Sequence, residues 1–176
     1  KLTASMVVNG MSEAKLVDIL FKFGELKYAR KIAGFIVKQR EQKPFTYTDE
    51  FAERIKPCLS VKNATKELTC IFQAIRITVN DELNALNTGL NNIFELLRKN
   101  GRVAVISYHS LEDRIVKNFI KKLEKPLETD PLKAMMSVHA EPKIEVITKK
   151  IILPSKQEVE DNPRARSAKL RVFKKL

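Results

Sequence analysis

The segment 108–114, with the sequence YHSLEDR, carries the densest set of side chains suited to chemistry. His109 can orient a base or move a proton near neutral pH. Ser110, together with the backbone amides at the start of a helix, can hold an anion. The same spacing also fits a structural role, in which Ser110 caps a helix and Asp113 completes a capping box. Spacing alone favours the structural role.

A second candidate is the basic segment 162–169, with the sequence NPRARSAK. Its cations Arg164, Arg166 and Lys169 can contact phosphates, and a guanidinium offers a bidentate fork to such an anion. A solvated basic loop explains the same charges equally well, because charge clusters are weak evidence of a site.

Arg76 and Asn80 lie four residues apart and share one polar face of a predicted helix. They can line a cleft or pair with nearby charges, and pairing is favoured on the residues alone. The two cysteines and two histidines of the chain do not have the spacing of a zinc site, so we predict no metal.

The predicted elements around these residues alternate between helices and strands, as in an α/β domain. An apolar run rich in β-branched residues at 102–107 predicts a strand buried on both faces, which is typical of a parallel sheet. Apolar residues at spacings of three and four predict one long helix over 71–98 before it, and another helix follows from Ser110. Residues 125–142 predict a loop, 143–153 and 168–173 predict two weaker strands, and Ser155 predicts the cap of a short helix.

The first part of the chain predicts short helices. Ser12 and Thr48 are placed to cap two of them, and Gly24 to stop the first. Residues 60–67 are polar and predict a linker. The chain therefore divides into a helical unit over 1–64 and an α/β part over 65–176, and the latter lacks the strand and Gly-rich turn that usually open such a sheet.

Composition points to a polyanionic partner. The 176 residues contain 44% hydrophobic residues and carry a formal net charge of +12. The longest apolar runs have only four or five residues, which excludes a membrane span. The two cysteines do not form a disulfide framework, so we expect a reducing, cytoplasmic setting.

Three segments together resemble a known family. They are 72–83 (FQAIRITVNDEL), 101–117 (GRVAVISYHSLEDRIVK) and 162–171 (NPRARSAKLR). In order and spacing they resemble the bacterial MraW (RsmH) family, whose members are S-adenosylmethionine-dependent methyltransferases that modify N4 of a cytosine in 16S rRNA. The first 60 residues also resemble the inserted helical domain of that family.

The resemblance implies the C-terminal part of a Rossmann-like class I methyltransferase sheet, preceded by an all-α inserted domain. The Gly-rich cofactor loop and ribose-binding acid of the family have no counterpart here, so no cofactor-binding residue is assigned. We therefore expect the isolated chain to bind no S-adenosylmethionine and to be inactive. A non-catalytic basic RNA- or protein-binding module is the alternative.

The resemblance also favours functional roles for the candidate residues over purely structural ones. Residues expected at the cleft or target base are Asn80, His109, Ser110, Glu112 and Asp113. Residues expected to contact RNA are Arg76, Arg114, Arg164, Arg166 and Lys169. The implied partner is 16S rRNA or the small ribosomal subunit, and an exposed sheet edge predicts self-association as a homodimer.

Overall fold

The structure is a computed structural model that describes residues 1–126 and 140–176. It divides into two compact units, Lys1–Glu82 and Leu83–Leu176. The first is helical and the second combines helices with a small sheet, so the chain is mixed α/β. The domain boundary predicted near residue 64 falls at the start of a helix and stays a prediction. Most of the loop predicted at 125–142 lies outside the described residues.

The first unit consists of helices around one apolar core. They are a π-helical turn at Met6–Gly10, α1 at Glu13–Lys22, α2 at Ala29–Gln42, α3 at Thr48–Ile55, a 3-10 turn at Lys56–Cys58 and α4 at Ala64–Asn80. The core contains side chains from each of them, among them Val7, Leu16, Ile32, Ile55 and Ile71.

Local capping in this unit follows the sequence. Ser12 caps α1 as predicted, because its hydroxyl accepts a hydrogen bond from the Lys15 amide at 3.4 Å. Thr48 was predicted as the cap of the third helix but is the first residue of α3, and Tyr47 takes the N-cap position.

Gly24 stops α1 for a different reason from the predicted one. Of the described glycines none has a positive φ, and the left-handed residue at this turn is Glu25, at φ 50°. A Cβ on Gly24 would lie 2.7 Å from the Leu20 carbonyl oxygen and 3.1 Å from the Cys70 carbonyl oxygen. Glycine is therefore required by the close approach of the α1 terminus to α4.

The long helix predicted over 71–98 is wrong, because the chain forms two helices there. α4 ends at Asn80 and α5 spans Glu82–Leu96, with Asp81 between them at φ 52° and ψ 40°. Aspartate tolerates the left-handed conformation better than most residues, so Asp81 can end α4. The spacing of the apolar residues continues past this point, which is why the sequence predicts a single helix. α4 also begins at Ala64, so part of the predicted linker at 60–67 is helical.

The second unit combines two further helices with a three-stranded sheet, and the first of them packs on the sheet. After α5 come β1 at Arg102–Ser107, α6 at Ser110–Glu124, β2 at Ile144–Val146, α7 at Lys156–Asp161, a 3-10 turn at Pro163–Ser167 and β3 at Lys169–Lys175. The strand predicted at 168–173 corresponds to β3. Within the strand predicted at 143–153 only Ile144–Val146 forms β2, and Ile152 adds an isolated bridge to Leu170. Ser155 caps α7 as predicted, since its hydroxyl accepts from the Glu158 amide at 3.1 Å.

We predict a parallel neighbour for β1, but the described residues contain no parallel pair. The sheet order is β1-β3-β2, and both pairings are antiparallel. Val103 and Ser107 are buried whereas Ile106 is 57% exposed, so β1 buries one face rather than two. An unbroken apolar run does not reveal strand direction, and here its alternate residues face away from the core.

The core of this unit is aromatic at its centre. Phe119 on α6 lies 6.2 Å, ring to ring, from Phe94 on α5 and 6.1 Å from Phe173 on β3. Phe173 is almost fully buried, and it belongs to β3, the middle strand of the sheet. Among residues 1–126 and 140–176 no helix has the length and apolar content needed to cross a membrane.

The first prediction concerns the glycine contact in the helical unit. Gly24→Ala places a methyl group against two backbone oxygens and should lower the free energy of unfolding by about 1–3 kcal/mol, measured by urea unfolding. Gly10→Ala is the matched control, because nothing lies within 4 Å of the added carbon. Equal stability of the two variants would contradict this role of Gly24.

Candidate functional site

Antiparallel pairing brings the YHSLEDR and NPRARSAK segments to one end of the sheet. Ser107, the last residue of β1, is paired with Lys169, the first residue of β3. The Ser107 hydroxyl also donates to the Lys169 carbonyl oxygen at 3.5 Å. The segment that follows β1 and the segment that precedes β3 therefore adjoin the same end of the sheet, although 62 positions separate Ser107 and Lys169 in sequence.

His109 caps α6 through a reciprocal capping box. Its Nδ1 accepts a hydrogen bond from the Glu112 amide at 3.3 Å. Glu112 Oε2 accepts in return from the amides of Tyr108 at 2.8 Å and His109 at 3.3 Å. The predicted box of Ser110 with Asp113 is therefore wrong by one residue. Ser110 is already the first helical residue, and the glutamate is the side chain long enough to reach back.

The cap determines which tautomer the neutral imidazole of His109 adopts. Because Nδ1 accepts a hydrogen bond, the ring proton of neutral His109 is on Nε2. Nε2 lies 3.3 Å from Glu112 Oε1, and the His109 side chain is only 12% exposed. Protonation of Nδ1 would remove the cap, so in this arrangement His109 positions the start of α6 and does not offer Nδ1 as a base.

Asp113 ties α6 to β3. Its Oδ1 accepts from Arg171 Nε at 2.7 Å and its Oδ2 from Arg171 Nη2 at 3.2 Å. The two side chains are 15% and 17% exposed. The hydrogen bonds from Arg171 lower the pKa of Asp113, with Lys169 and Lys117 adding positive potential. Asp113 thus stays ionised and acts as an anchor of the helix that carries His109.

Arg171 was not selected among the candidates, although the third family-like segment ends on it. Nothing in the spacing of β3 marks it as a partner of Asp113, because the two residues are 58 positions apart. The pairing depends on the register of β3 beneath α6, which the sequence does not specify.

Of the four basic candidates in this unit, Arg114, Arg164 and Arg166 are exposed and Lys169 is half-buried. Arg164 and Arg166 lie in the 3-10 turn and are exposed, whereas Ala165 between them is buried and fixes the turn. Asn162 Oδ1 accepts from the Arg164 amide at 3.2 Å and caps the same turn. Arg114 is exposed on the first turns of α6. The capped turn therefore presents the guanidinium groups of Arg164 and Arg166 to solvent, where such groups can contact phosphate.

Arg76 and Asn80 belong to the first unit and form a cluster there. Arg76 Nε and Nη2 donate to Glu82 Oε1 and Oε2 at 2.8 and 3.0 Å, and Asn80 Nδ2 donates to Glu82 Oε1 at 3.0 Å. The cluster closes around the left-handed Asp81. The sequence leaves two roles for Arg76 and Asn80, lining a cleft or pairing with a nearby charge, and in the structure both pair with Glu82. In the described part of the chain, no three His, Cys, Asp or Glu side chains are grouped as metal ligands.

The second prediction concerns Asp113. Because its folded pKa is lowered, the stability that it contributes is present above the unfolded pKa near 4 and is lost as pH falls through the folded value. Asp113→Asn should lower the free energy of unfolding by about 2 kcal/mol at pH 7, and the difference from the unsubstituted protein should vanish in acid. Urea unfolding across pH measures this.

Asp18→Asn is the control, because Asp18 forms an exposed i,i+4 pair with Lys22 and such pairs contribute little. A loss at Asp113 no larger than that at Asp18, or one that persists unchanged in acid, would contradict the anchoring role.

Comparison with known proteins extends over the whole chain. The model of the MraW methylase family matches residues 1–176. The protein named ribosomal RNA small subunit methyltransferase H from Carboxydothermus hydrogenoformans is 47% identical over 99% of this chain and 57% of its own length. Proteins of the same name from Coprothermobacter proteolyticus and Clostridium botulinum are 45% and 46% identical, over 54% and 57% of their lengths.

The chain thus spans a little over half the length of these curated relatives. The family match covers every residue, including the three segments that carried the resemblance. The chain belongs to the MraW methylase family.

Proposed function

We propose that this chain is the C-terminal part of an enzyme that transfers a methyl group from S-adenosylmethionine to N4 of a cytosine in 16S rRNA. The observation that carries the proposal is the 43–47% identity to relatives named ribosomal RNA small subunit methyltransferase H. In this proposal residues 1–64 are an inserted helical domain and 65–176 belong to a Rossmann-like class I sheet. The relatives give no support to a homodimer, which is not part of the proposal.

Two cavities among the described residues of the second unit are unsuited to the methyl donor. A groove of about 430 Å³ beside α6 presents five cationic side chains and one carboxylate, which is unfavourable for a sulfonium cation. A second cavity beside α7, lined by residues such as Ile152 and Leu153, has about 110 Å³, below the size of a nucleoside site. We assign no cofactor contact to this chain and derive no step through the cofactor.

The proposed work of this chain is to hold the target nucleotide and the RNA. His109 and Ser110 position the cytosine, and Glu112 and Asp113 keep the start of α6 in place through the cap and the Arg171 anchor. Arg114, Arg164, Arg166 and Lys169 contact the RNA backbone around that nucleotide. A base in folded RNA must be splayed out to reach such a site, and rigid positioning then contributes most to the rate. Arg76 and Asn80 are retained as candidates in the helical unit.

The third prediction separates the cap from the imidazole. Asparagine is a good N-cap, so His109→Asn should keep the stability of the protein, whereas His109→Ala should lose about 1 kcal/mol. If the ring positions the cytosine, both variants should lower kcat for cytosine N4 methylation by about a hundred-fold. The assay uses the protein at the full length that its gene encodes, with small-subunit rRNA and mass spectrometry of the modified nucleoside.

A normal kcat for His109→Asn would contradict the role of the imidazole and leave His109 as a cap alone. Absence of any N4 methylation by the unsubstituted full-length protein would contradict the proposed enzyme and favour the non-catalytic RNA- or protein-binding module.

The fourth prediction concerns the 176-residue chain by itself. Since none of its positions matches the cofactor motif of the family, titration with S-adenosylmethionine in a calorimeter should release no binding heat. The full-length protein is the positive control in the same experiment. Micromolar binding by the isolated chain would show that it contains a donor site that we have not recognised.

A further inference from the structure

A basic groove runs along the second half of α6, away from the His109 end. It has a volume of about 430 Å³ and lies between α6, β3 and the segment that follows β2. Among the described residues its cationic lining consists of Lys117, Lys121, Lys125, Lys149 and Arg171, and its acidic lining of Glu124 alone. The candidates selected from the sequence include none of these cations.

We propose that this groove binds the phosphate backbone of RNA, as a second contact distant from the target nucleotide. The inference rests on the proposed function for the identity of the nucleic acid. It assigns the backbone of the same RNA substrate to a surface whose four lysines lie outside the His109 site, while Arg171 contributes to both.

The three helical lysines form a regular row. Lys117, Lys121 and Lys125 recur every four residues, so they share one face of α6 and are spaced about 6 Å apart along its axis. All three are exposed, and among the described residues none of them forms an ion pair with a carboxylate. A row of evenly spaced cations suits a polymer with regularly spaced anions better than it suits a single small anion.

The facing wall of the groove is held by the sheet. The Thr148 amide donates to the Val172 carbonyl oxygen at 3.1 Å, and the Val172 amide donates to Thr148 Oγ1 at 2.8 Å. These bonds fix the segment that carries Lys149 against β3. Ile120 and Val146 supply an apolar floor between the two walls. The groove is therefore a formed surface with cations on both sides.

Pairing with carboxylates inside the protein explains only part of the positive charge in the groove. Arg171 uses Nε and Nη2 on Asp113, and Lys117 also lies within electrostatic reach of that carboxylate. Lys121, Lys125 and Lys149 remain, and Glu124 is the one opposing charge that the described residues add to the lining. The last turn of a helix carries partial negative charge that favours lysines, but this effect needs no groove and does not reach Lys149.

The position of the groove fits an extended substrate. Lys121 lies eleven residues after Ser110, which corresponds to about 17 Å along α6. An RNA strand whose target base is held at the start of α6 would reach the groove only several nucleotides away. We therefore expect the groove to act on long or structured RNA and to leave the chemistry at the base unaffected.

The fifth prediction tests the groove in the full-length protein. The triple variant Lys117→Gln, Lys121→Gln and Lys125→Gln should raise Kd for small-subunit rRNA about ten-fold near physiological salt. The slope of log Kd against log salt should fall by about two, because phosphate contacts release counterions. With saturating RNA kcat should be unchanged, while KM should rise. A short RNA restricted to the target nucleotide and its neighbours should bind both proteins equally.

The matched control removes the same charge elsewhere in the second unit, with Lys99→Gln, Lys122→Gln and Lys156→Gln, all exposed and outside the groove lining. Equal weakening by both triple variants would overturn the groove as a specific contact. Unchanged RNA affinity in the groove variant would also overturn the proposal. If that variant instead lost binding to an acidic protein, the groove would be a protein-binding surface and the proposal would be wrong. Groove-dependent RNA binding by a full-length protein that methylates nothing would support the groove and refute the proposed enzyme.

Discussion

The antiparallel pairing of β1 with β3 is the constraint on which the second unit depends. It sets Ser107 opposite Lys169 and so joins two segments that are distant in sequence. The same register places Phe173 in the aromatic core and Arg171 beneath Asp113. A slip of one residue would turn both side chains to the other face of the sheet, so the core and the anchor of α6 would be lost together.

α6 connects the two functional surfaces that we propose. Its first turn is fixed by the His109–Glu112 box and by the pair of Asp113 with Arg171, and both place negative charge at the positive end of the helix. Its second half presents the row of lysines to the groove. One rigid helix can thus set the distance between a positioned base and a bound backbone, which a loop would hold less accurately.

The features that sequence reasoning predicted correctly are local. Ser12 and Ser155 cap their helices because an N-cap depends on a hydroxyl and an amide three residues later. Two N-caps were placed one residue too late, at Thr48 and Ser110, and the other features that it missed depend on distant partners or on backbone conformation. The apolar run of β1 does not encode strand direction, and the periodicity through Asp81 does not reveal a left-handed break. The roles of Arg171 and of the groove lysines require the register of β3 and the path of the chain after β2.

The central claim is that the two ends of α6 contact one RNA molecule at separate places, and photo-crosslinking of the full-length protein to small-subunit rRNA tests it most directly. The account predicts that peptides containing Tyr108–Ser110 crosslink to the methylated cytosine or its neighbours. Peptides containing Lys121 or Lys125 should crosslink to nucleotides several positions away on the same RNA. Crosslinks that cluster on other faces of the protein, with both ends of α6 unmodified, would contradict it.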